Sequence, residues 1–78
     1  MTGPPDTVVD ARGHHCPVPT LRLRRALEAA AVGHIIALYV DDPMAAIDVP
    51  HFVEQIGADL LDRHIDGQTM VFRVRKSI

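Results

Sequence analysis

The chain has 78 residues, of which 47% are hydrophobic and 23% are charged, and its formal net charge is -2. This length allows one small domain, and the composition lies outside the polar, highly charged range of disordered chains. The charge excludes a general nucleic-acid-binding protein, which needs a basic surface, and no apolar run approaches the roughly 20 residues of a membrane span.

Residues 1–6 predict a flexible tail, because Gly3, Pro4 and Pro5 interrupt regular structure and nothing apolar anchors them. These residues also lack the basic and apolar parts of a signal peptide, so the cytoplasm is the expected location. Thr7–Asp10 is a short β-branched run before the turn residues Arg12 and Gly13, and it predicts the first strand. Residues 7–78 are expected to form a single domain.

The segment that begins at Pro17 predicts a helix, because its apolar residues recur at the spacing of one helix face. Pro17 suits the first helical position, and Pro19 lies in the first turn, where backbone N–H groups have no intrahelical partner. Gly33 is the predicted stop, and Cys16 becomes the N-cap residue. The apolar face comprises Leu23, Ala26, Leu27 and Ala30.

A second strand and a second helix follow. Ile35–Val40 is a nearly continuous apolar run of β-forming residues, which is typical of a strand covered on much of both faces. The next helical pattern predicts a short helix with Asp48 as N-cap, Pro50 in the first turn and Gly57 just past the end. Its apolar face comprises Val49, Phe52, Val53 and Ile56.

The last third of the chain predicts a β-hairpin. Leu60–Ile65 and Thr69–Arg75 are strand-like runs, and the intervening Asp66 and Gly67 are typical central residues of a tight turn, where both adopt positive φ.

On this register Leu61 faces Phe72. The predicted order is β-α-β-α-β-β, which indicates an α+β fold. The expected architecture is a two-layer α/β sandwich, with a four-stranded mixed sheet and two helices on one face.

Cys16 is the single cysteine of the chain, so no intramolecular disulfide can form and a reducing compartment is compatible with it. A lone cysteine is often a small buried hydrophobe. At a helix N-cap, however, unpaired N–H groups and the helix dipole favour the thiolate, and Arg12 and the neighbouring His14 and His15 can add positive charge. A pKa one unit below about 8.5 would raise the thiolate fraction at pH 7 from roughly 3% to roughly 24%.

The pattern Asp10, Gly13, Cys16, Pro17 and Pro19 resembles the signature of the TusA/SirA-like sulfurtransferase family, and the similarity extends from about Val8 to Lys76. Further matches are Arg24–Arg25, Asp41–Asp42–Pro43, Asp48–Val49–Pro50 with Phe52, and Val74–Arg75–Lys76.

The resemblance implies a sulfur carrier, in which Cys16 is the catalytic residue and bears sulfur as a persulfide within a relay. A cysteine desulfurase or another donor protein would load it, and a downstream acceptor protein would receive the sulfur. No cofactor is implied beyond this covalent sulfur, and neither nucleic acid nor membrane is an expected partner.

The resemblance also implies supporting roles for other residues. Asp10, Arg12, Gly13, Pro17 and Pro19 would support the thiolate or shape its motif. Arg24, Arg25 and Asp42 would dock the partner, although the arginines also fit a solvated helix face.

Three positions differ from the family pattern. The residue before Asp48 is often basic in the family, whereas this chain has Ile47, and His14 and His15 occupy positions that are commonly apolar and basic. Family members serve tRNA thiolation, molybdenum cofactor synthesis, sulfur oxidation or selenium metabolism, and the sequence does not choose among these pathways.

Cys16 could also serve functions other than sulfur transfer. A structural zinc site needs four ligands, and the remaining histidines lie in three different elements, so no metal is expected. A non-catalytic interaction module, in which Cys16 only caps a helix, remains an alternative. A redox sensor that forms an intermolecular disulfide through Cys16 is another.

Overall fold

The computed structural model describes residues 5–15 and 18–77. The α+β class and the β-α-β-α-β-β order predicted from the sequence are confirmed. None of the helices in these two ranges is long and apolar enough to cross a membrane. In chain order, the elements are β1 (Thr7–Asp10), α1 (Val18–Ala29), β2 (Ile35–Val40), α2 (Ala45–Ile56), β3 (Asp59–Asp66) and β4 (Thr69–Arg75).

The four strands form one mixed sheet in the order β1-β2-β4-β3. β1 and β2 are parallel and are connected through α1, whereas β4 is antiparallel to both β2 and β3. β1, β2 and β3 therefore end on the same side, which we call the carboxyl end of the sheet. The loop from β1 toward Cys16 starts at this end.

The core lies between one face of the sheet and the two helices. Alternate residues of β2 and β4 pair across this face, with Leu38 opposite Phe72, and both side chains are fully buried. Because side chains alternate along a strand, this one register directs every second residue of both central strands toward the helices. The helices contribute Leu23, Leu27, Ala45, Val49 and Val53 to the same cluster.

The start of α2 differs from the prediction. The helix begins at Ala45, so Asp48 is its fourth residue rather than its N-cap, and its 12 residues equal the length of α1. The reason is the turn that precedes it: the Met44 N–H donates to Oδ1 of Asp42 at 3.1 Å, and the Ala45 N–H donates to the Asp42 carbonyl at 2.9 Å. The prediction of a short helix was therefore wrong.

Pro50 consequently lies inside α2 rather than at its start. A proline has no N–H, so the carbonyl four residues earlier, that of Ala46, loses its helical donor. Arg63 of β3 donates to this carbonyl from one guanidinium nitrogen at 3.4 Å. The end of α2 agrees with the prediction, because Gly57 adopts a left-handed φ of 76° and closes the helix.

The turn of the β-hairpin is shifted by one residue from its predicted position. Asp66 pairs with Thr69 as the last strand residue, so the central turn residues are Gly67 and Gln68. Among the described residues only glycines have positive φ, and Gly67 has a φ of 62°. A single positive φ at the first central position is typical of a two-residue turn that has glycine there. The prediction had required positive φ at both central residues.

This shift also changes the pairing across the hairpin. Arg63, rather than Leu61, lies opposite Phe72. The strand is irregular between Leu60 and Asp62, where Leu61 interrupts the regular pairing. The predicted pairing of Leu61 with Phe72 was therefore wrong, because the turn lies one residue later in the chain than predicted.

α1 ends at Ala29, four positions before the predicted stop at Gly33. The Ala30 carbonyl, just beyond the helix, accepts a hydrogen bond from Nζ of Lys76 at 2.8 Å. Gly33, with a φ of 92°, lies in the following loop and donates its N–H to the Lys76 carbonyl at 2.7 Å. The C-terminal segment thus stabilises both the end of α1 and the loop after it.

Asp6, which the sequence assigns to the flexible tail, is attached to the sheet. Its N–H donates to the Ile35 carbonyl at 2.8 Å, and its carboxylate accepts from the Ile35 N–H at 2.9 Å. The ordered domain therefore begins before Thr7. Residues 1–4 lie outside the described residues, so the tail remains a prediction for them.

Candidate functional site

The loop that leads to Cys16 is attached to the ends of the two parallel strands. Ala11, fully buried, continues the ladder by donating its N–H to the Tyr39 carbonyl at 2.8 Å. Gly13 then donates its N–H to Oδ1 of Asp41 at 2.9 Å. Because Asp41 directly follows β2, this bond joins the loop after β1 to the end of the neighbouring strand.

Gly13 is the turn residue that the sequence predicts, and its φ of 81° explains why glycine stands there. A Cβ at this position would meet no atom within 4 Å, so space is not the constraint. The left-handed backbone itself disfavours other residues, because their Cβ approaches the following carbonyl oxygen. Gly13 therefore sets the direction in which the chain approaches Cys16.

Asp10 and Arg12 form a closed ion pair. The guanidinium donates from Nε to Oδ1 at 2.9 Å and from Nη2 to Oδ2 at 2.8 Å, and the Arg12 N–H also donates to Oδ1. The side-chain hydrogen bond, followed by the backbone one, lowers the pKa of Asp10 to about 2, and the same pairing raises the pKa of Arg12. Arg12 was predicted to support the thiolate; its positive charge is balanced by Asp10.

Two arginines link the loop and α1 to the strands. The Arg12 guanidinium lies 6.0 Å from the centre of the Tyr39 ring, within the range of a cation–π contact. Arg22 of α1 reaches back and donates to the main-chain carbonyl of Asp10 at 3.2 Å. The first helix is thereby bound to the strand that precedes it.

Asp42 has a structural role next to the loop. Besides accepting from the Met44 N–H, its carboxylate lies 3.8 Å from Nδ1 of His15. The Asp42 side chain is only 10% exposed, whereas that of His15 is 93% exposed. His15 therefore projects into solvent beside a nearly buried carboxylate, while His14 is half-buried. The docking role predicted for Asp42 stays a prediction.

Cys16 and Pro17 lie outside the described residues, so their predicted roles as N-cap and first helical residue remain predictions. The flanking residues are described. The Val18 N–H donates to the His15 carbonyl at 3.0 Å, and α1 begins at Val18. Pro19, fully buried, is the second residue of the helix, which confirms its predicted place in the first turn.

The outer surface of α1 is basic. Arg24 and Arg25 are exposed, as is Leu21, which is 55% exposed. Nε of Arg24 lies 4.0 Å from a carboxylate oxygen of Glu28, an i,i+4 pair that contributes little to stability at such exposure. We call this surface the basic face; its groove of about 380 Å³ is lined by Val18, Leu21, Arg22, Arg24, Arg25 and Glu28.

The sequence did not predict the bonds from Gly13 to Asp41 and from Arg22 to the Asp10 carbonyl. The sequence did contain an indication of the bond from Gly13 to Asp41. Asp10 ends one predicted strand and Asp41 follows the next, and neighbouring parallel strands end at the same side of a sheet. Within residues 5–15 and 18–77, no three histidine, cysteine or carboxylate side chains gather as metal ligands would.

Comparison with known proteins agrees with this architecture. The family model described as "Sulfurtransferase TusA" matches residues 7–76. The chain belongs to the TusA family.

Among its TusA relatives, the "Sulfur carrier protein TusA" of Pseudomonas putida (strain GB-1) is 33% identical over 72 residues, which cover 92% of this chain and 90% of the relative. The protein of the same name from Allochromatium vinosum is 32% identical, with coverage of 92% and 95%. The crystal structure of a SirA-like protein from Desulfitobacterium hafniense superposes with a TM-score of 0.79 at 22% identity, covering 92% of this chain and 99% of that one. This superposition supports the fold.

The ion pair of Asp10 predicts a specific dependence of stability on pH. Because pairing lowers the pKa of Asp10 from 3.8 to about 2, the pair contributes its full stabilisation above about pH 4 and loses it as the pH falls toward 2. The free energy of unfolding of wild type should therefore exceed that of Asp10→Asn at pH 6, and the difference should shrink between pH 4 and pH 2.

Carbon-detected NMR titration of the Asp10 carboxyl measures the pKa itself. Arg12→Met is the matched control, since it removes the donor and should return the pKa toward 3.8. A wild-type Asp10 that already titrates near 3.8, or one unaffected by Arg12→Met, would show that the pair does not persist in solution.

Proposed function

We propose that the protein is a sulfur carrier that accepts sulfane sulfur as a persulfide on Cys16 and passes it to an acceptor protein. The observation that carries this proposal is the family match over residues 7–76, with relatives named sulfur carrier proteins along nearly the whole chain. The cysteine of the family motif is Cys16, which follows a loop that Asp41 holds at the end of the sheet.

The transfer needs no external oxidant or reductant. The Cys16 thiolate attacks the terminal sulfur of a donor persulfide, so one S–S bond forms as the donor's S–S bond breaks and the donor thiolate leaves with the electron pair. In the second step an acceptor thiolate attacks the terminal sulfur on Cys16, and the Cys16 thiolate leaves. One cysteine suffices, because each step exchanges one S–S bond for another.

The surroundings of Cys16 favour the ionised thiol. α1 begins two residues after Cys16, and the first N–H groups of a helix and its dipole stabilise a nearby anion. The Val18 N–H already bonds to the His15 carbonyl and Pro19 has no N–H, so the helix dipole is the source of positive potential at this end of α1. Because Asp10 balances the charge of Arg12, we assign the larger share of thiolate stabilisation to the helix start.

The donor protein would dock on the basic face. Arg25 is exposed, and no residue of the described ranges forms an ion pair with it, in contrast to Arg24. Exposed arginines beside a reactive group attract an acidic partner surface and raise the rate of productive encounters. A cysteine desulfurase with an acidic surface around its persulfide is therefore the proposed donor.

Mass spectrometry tests the sulfur-carrying residue. After incubation with a cysteine desulfurase and cysteine, wild type should gain 32 Da on the peptide that contains Cys16, the mass of one sulfur atom, as one S–S exchange requires. Cys16→Ser should gain none. Sulfur on the Cys16→Ser protein, or unmodified wild type with both desulfurase and inorganic polysulfide, would contradict the proposal.

The docking role of the basic face predicts a change in rate. Arg25→Glu should slow the desulfurase-dependent loading of Cys16 by roughly tenfold, and high salt should reduce the difference, because the interaction is electrostatic. Loading by inorganic polysulfide should be unchanged, since this small donor needs no docking surface.

Gln55→Glu is the control, because it adds a negative charge on the exposed part of α2. It should load like wild type with either donor. Equal desulfurase-dependent rates for Arg25→Glu and wild type would exclude the basic face as the donor's docking surface.

A further inference from the structure

Arg22 is the residue through which the side of α1 is bonded to the end of β1. It is the fifth residue of the helix and is exposed, and its Nη1 donates to the main-chain carbonyl of Asp10 at 3.2 Å. This bond joins the two described segments that flank Cys16 in the chain. The guanidinium of Arg22 therefore lies at the carboxyl end of the sheet, where the loop toward Cys16 begins.

The loop is surrounded by more carboxylates than guanidinium groups. Its charged and titratable neighbours among the described residues are, from β1 and the loop itself, Asp10, Arg12, His14 and His15; from β2 and the segment after it, Tyr39, Asp41 and Asp42; and, from α1, Arg22. Three carboxylates thus face two guanidinium groups. A thiolate formed by Cys16 adds a further negative charge to this set, and nearby like charges disfavour it.

The first of the two guanidinium groups is already matched to a carboxylate. Arg12 donates to both carboxylate oxygens of Asp10, at 2.9 and 2.8 Å. Asp41, in contrast, accepts from the Gly13 N–H, which carries no net charge, so that hydrogen bond leaves the carboxylate charge in place. The remaining acidity around the loop is therefore not offset by Arg12.

Arg22 differs from Arg12 because its hydrogen bond goes to a neutral acceptor. Within residues 5–15 and 18–77 no carboxylate forms an ion pair with Arg22, so its positive charge acts on the other anions around the loop. Its effect is already present at Asp10. The side-chain hydrogen bond from Arg12 is the main cause of the low pKa of Asp10, and the charge of Arg22 lowers that pKa further.

We propose that Arg22 keeps Cys16 ionised by offsetting the carboxylates around the loop, and that its bond to the Asp10 carbonyl holds the guanidinium where it does so. This inference rests on the proposed carrier function, in which the thiolate is the attacking species. Arg22 is thus a positioning residue for sulfur transfer, and its charge adds to the contribution of the helix start.

The pH dependence of Cys16 alkylation by iodoacetamide tests this role in the full chain. The reagent is neutral, so a change of protein charge acts on the thiol rather than on the reagent. Arg22→Met should slow alkylation at pH 7 by about two- to fourfold, because loss of a nearby cation raises the pKa of the Cys16 thiol. Above that pKa the rates of variant and wild type should converge, whereas a displaced or shielded thiol would react slowly at every pH.

Two further measurements separate the charge of Arg22 from its packing. Arg22→Lys keeps the positive charge and a hydrogen-bond donor, so it should restore most of the wild-type rate at pH 7. Salt at about 1 M should reduce the difference between wild type and Arg22→Met, because exposed charges are screened at that ionic strength.

Arg63→Met is the matched control. Arg63 of β3 also donates to a main-chain carbonyl, that of Ala46, and its replacement changes the net charge by the same amount. This variant should be alkylated like wild type at pH 7. The role of Arg22 is overturned by superposable profiles for Arg22→Met and wild type, by Arg22→Lys as slow as Arg22→Met, by a difference that salt leaves unchanged, or by equal slowing in Arg63→Met.

Sulfur loading of wild type separates this inference from the carrier function. If wild-type Cys16 gains no sulfur from a desulfurase or from inorganic polysulfide, but Arg22→Met is alkylated more slowly as described, the carrier function fails and the effect of Arg22 on the thiol stands. If wild type is loaded normally and the alkylation profile of Arg22→Met matches that of wild type, the role of Arg22 is overturned alone.

Discussion

The hydrogen bond from the Gly13 N–H to Asp41 is the contact on which the arrangement of the functional site depends. Parallel β1 and β2 end side by side, and the chain has only seven residues between the end of β1 and the start of α1 in which to turn. The positive φ of Gly13 makes the turn possible, and the Asp41 carboxylate holds it. The loop, the start of α1 and the start of α2 thereby meet at one end of the sheet.

At this end of the sheet the charges of Asp10 and Arg12 are paired with each other. The positive charge of Arg12, which was predicted to stabilise the thiolate, is balanced by Asp10. The sequence indicated these residue types, but it could not show that Arg12 and Asp10 bind each other.

The sequence predicted the fold where hydrophobic patterns are unambiguous and failed where two local signals compete. β1, β2 and the core face of α1 follow from β-branched runs and helical spacing. Asp42 and Asp48, each followed by a proline within two residues, are both typical of helix starts. Only the hydrogen bonds of the folded chain show that Asp42 forms the turn that precedes α2. Similarly, Gly67 indicates a hairpin turn, but the sequence does not show whether it is the first or the second central residue. The strand pairing depends on this position, and in the structure Gly67 is the first.

The rate of Cys16 alkylation by iodoacetamide as a function of pH tests the central claim most directly. The account predicts an apparent thiol pKa clearly below the ordinary value of about 8.5 in wild type. The pKa of the Cys16 thiol should be higher in Asp41→Ala than in Asp41→Asn. Both variants lose the carboxylate charge, but only the asparagine keeps an oxygen that can accept a hydrogen bond from the Gly13 N–H. A wild-type pKa at or above about 8.5, or identical profiles for the two variants, would contradict the account.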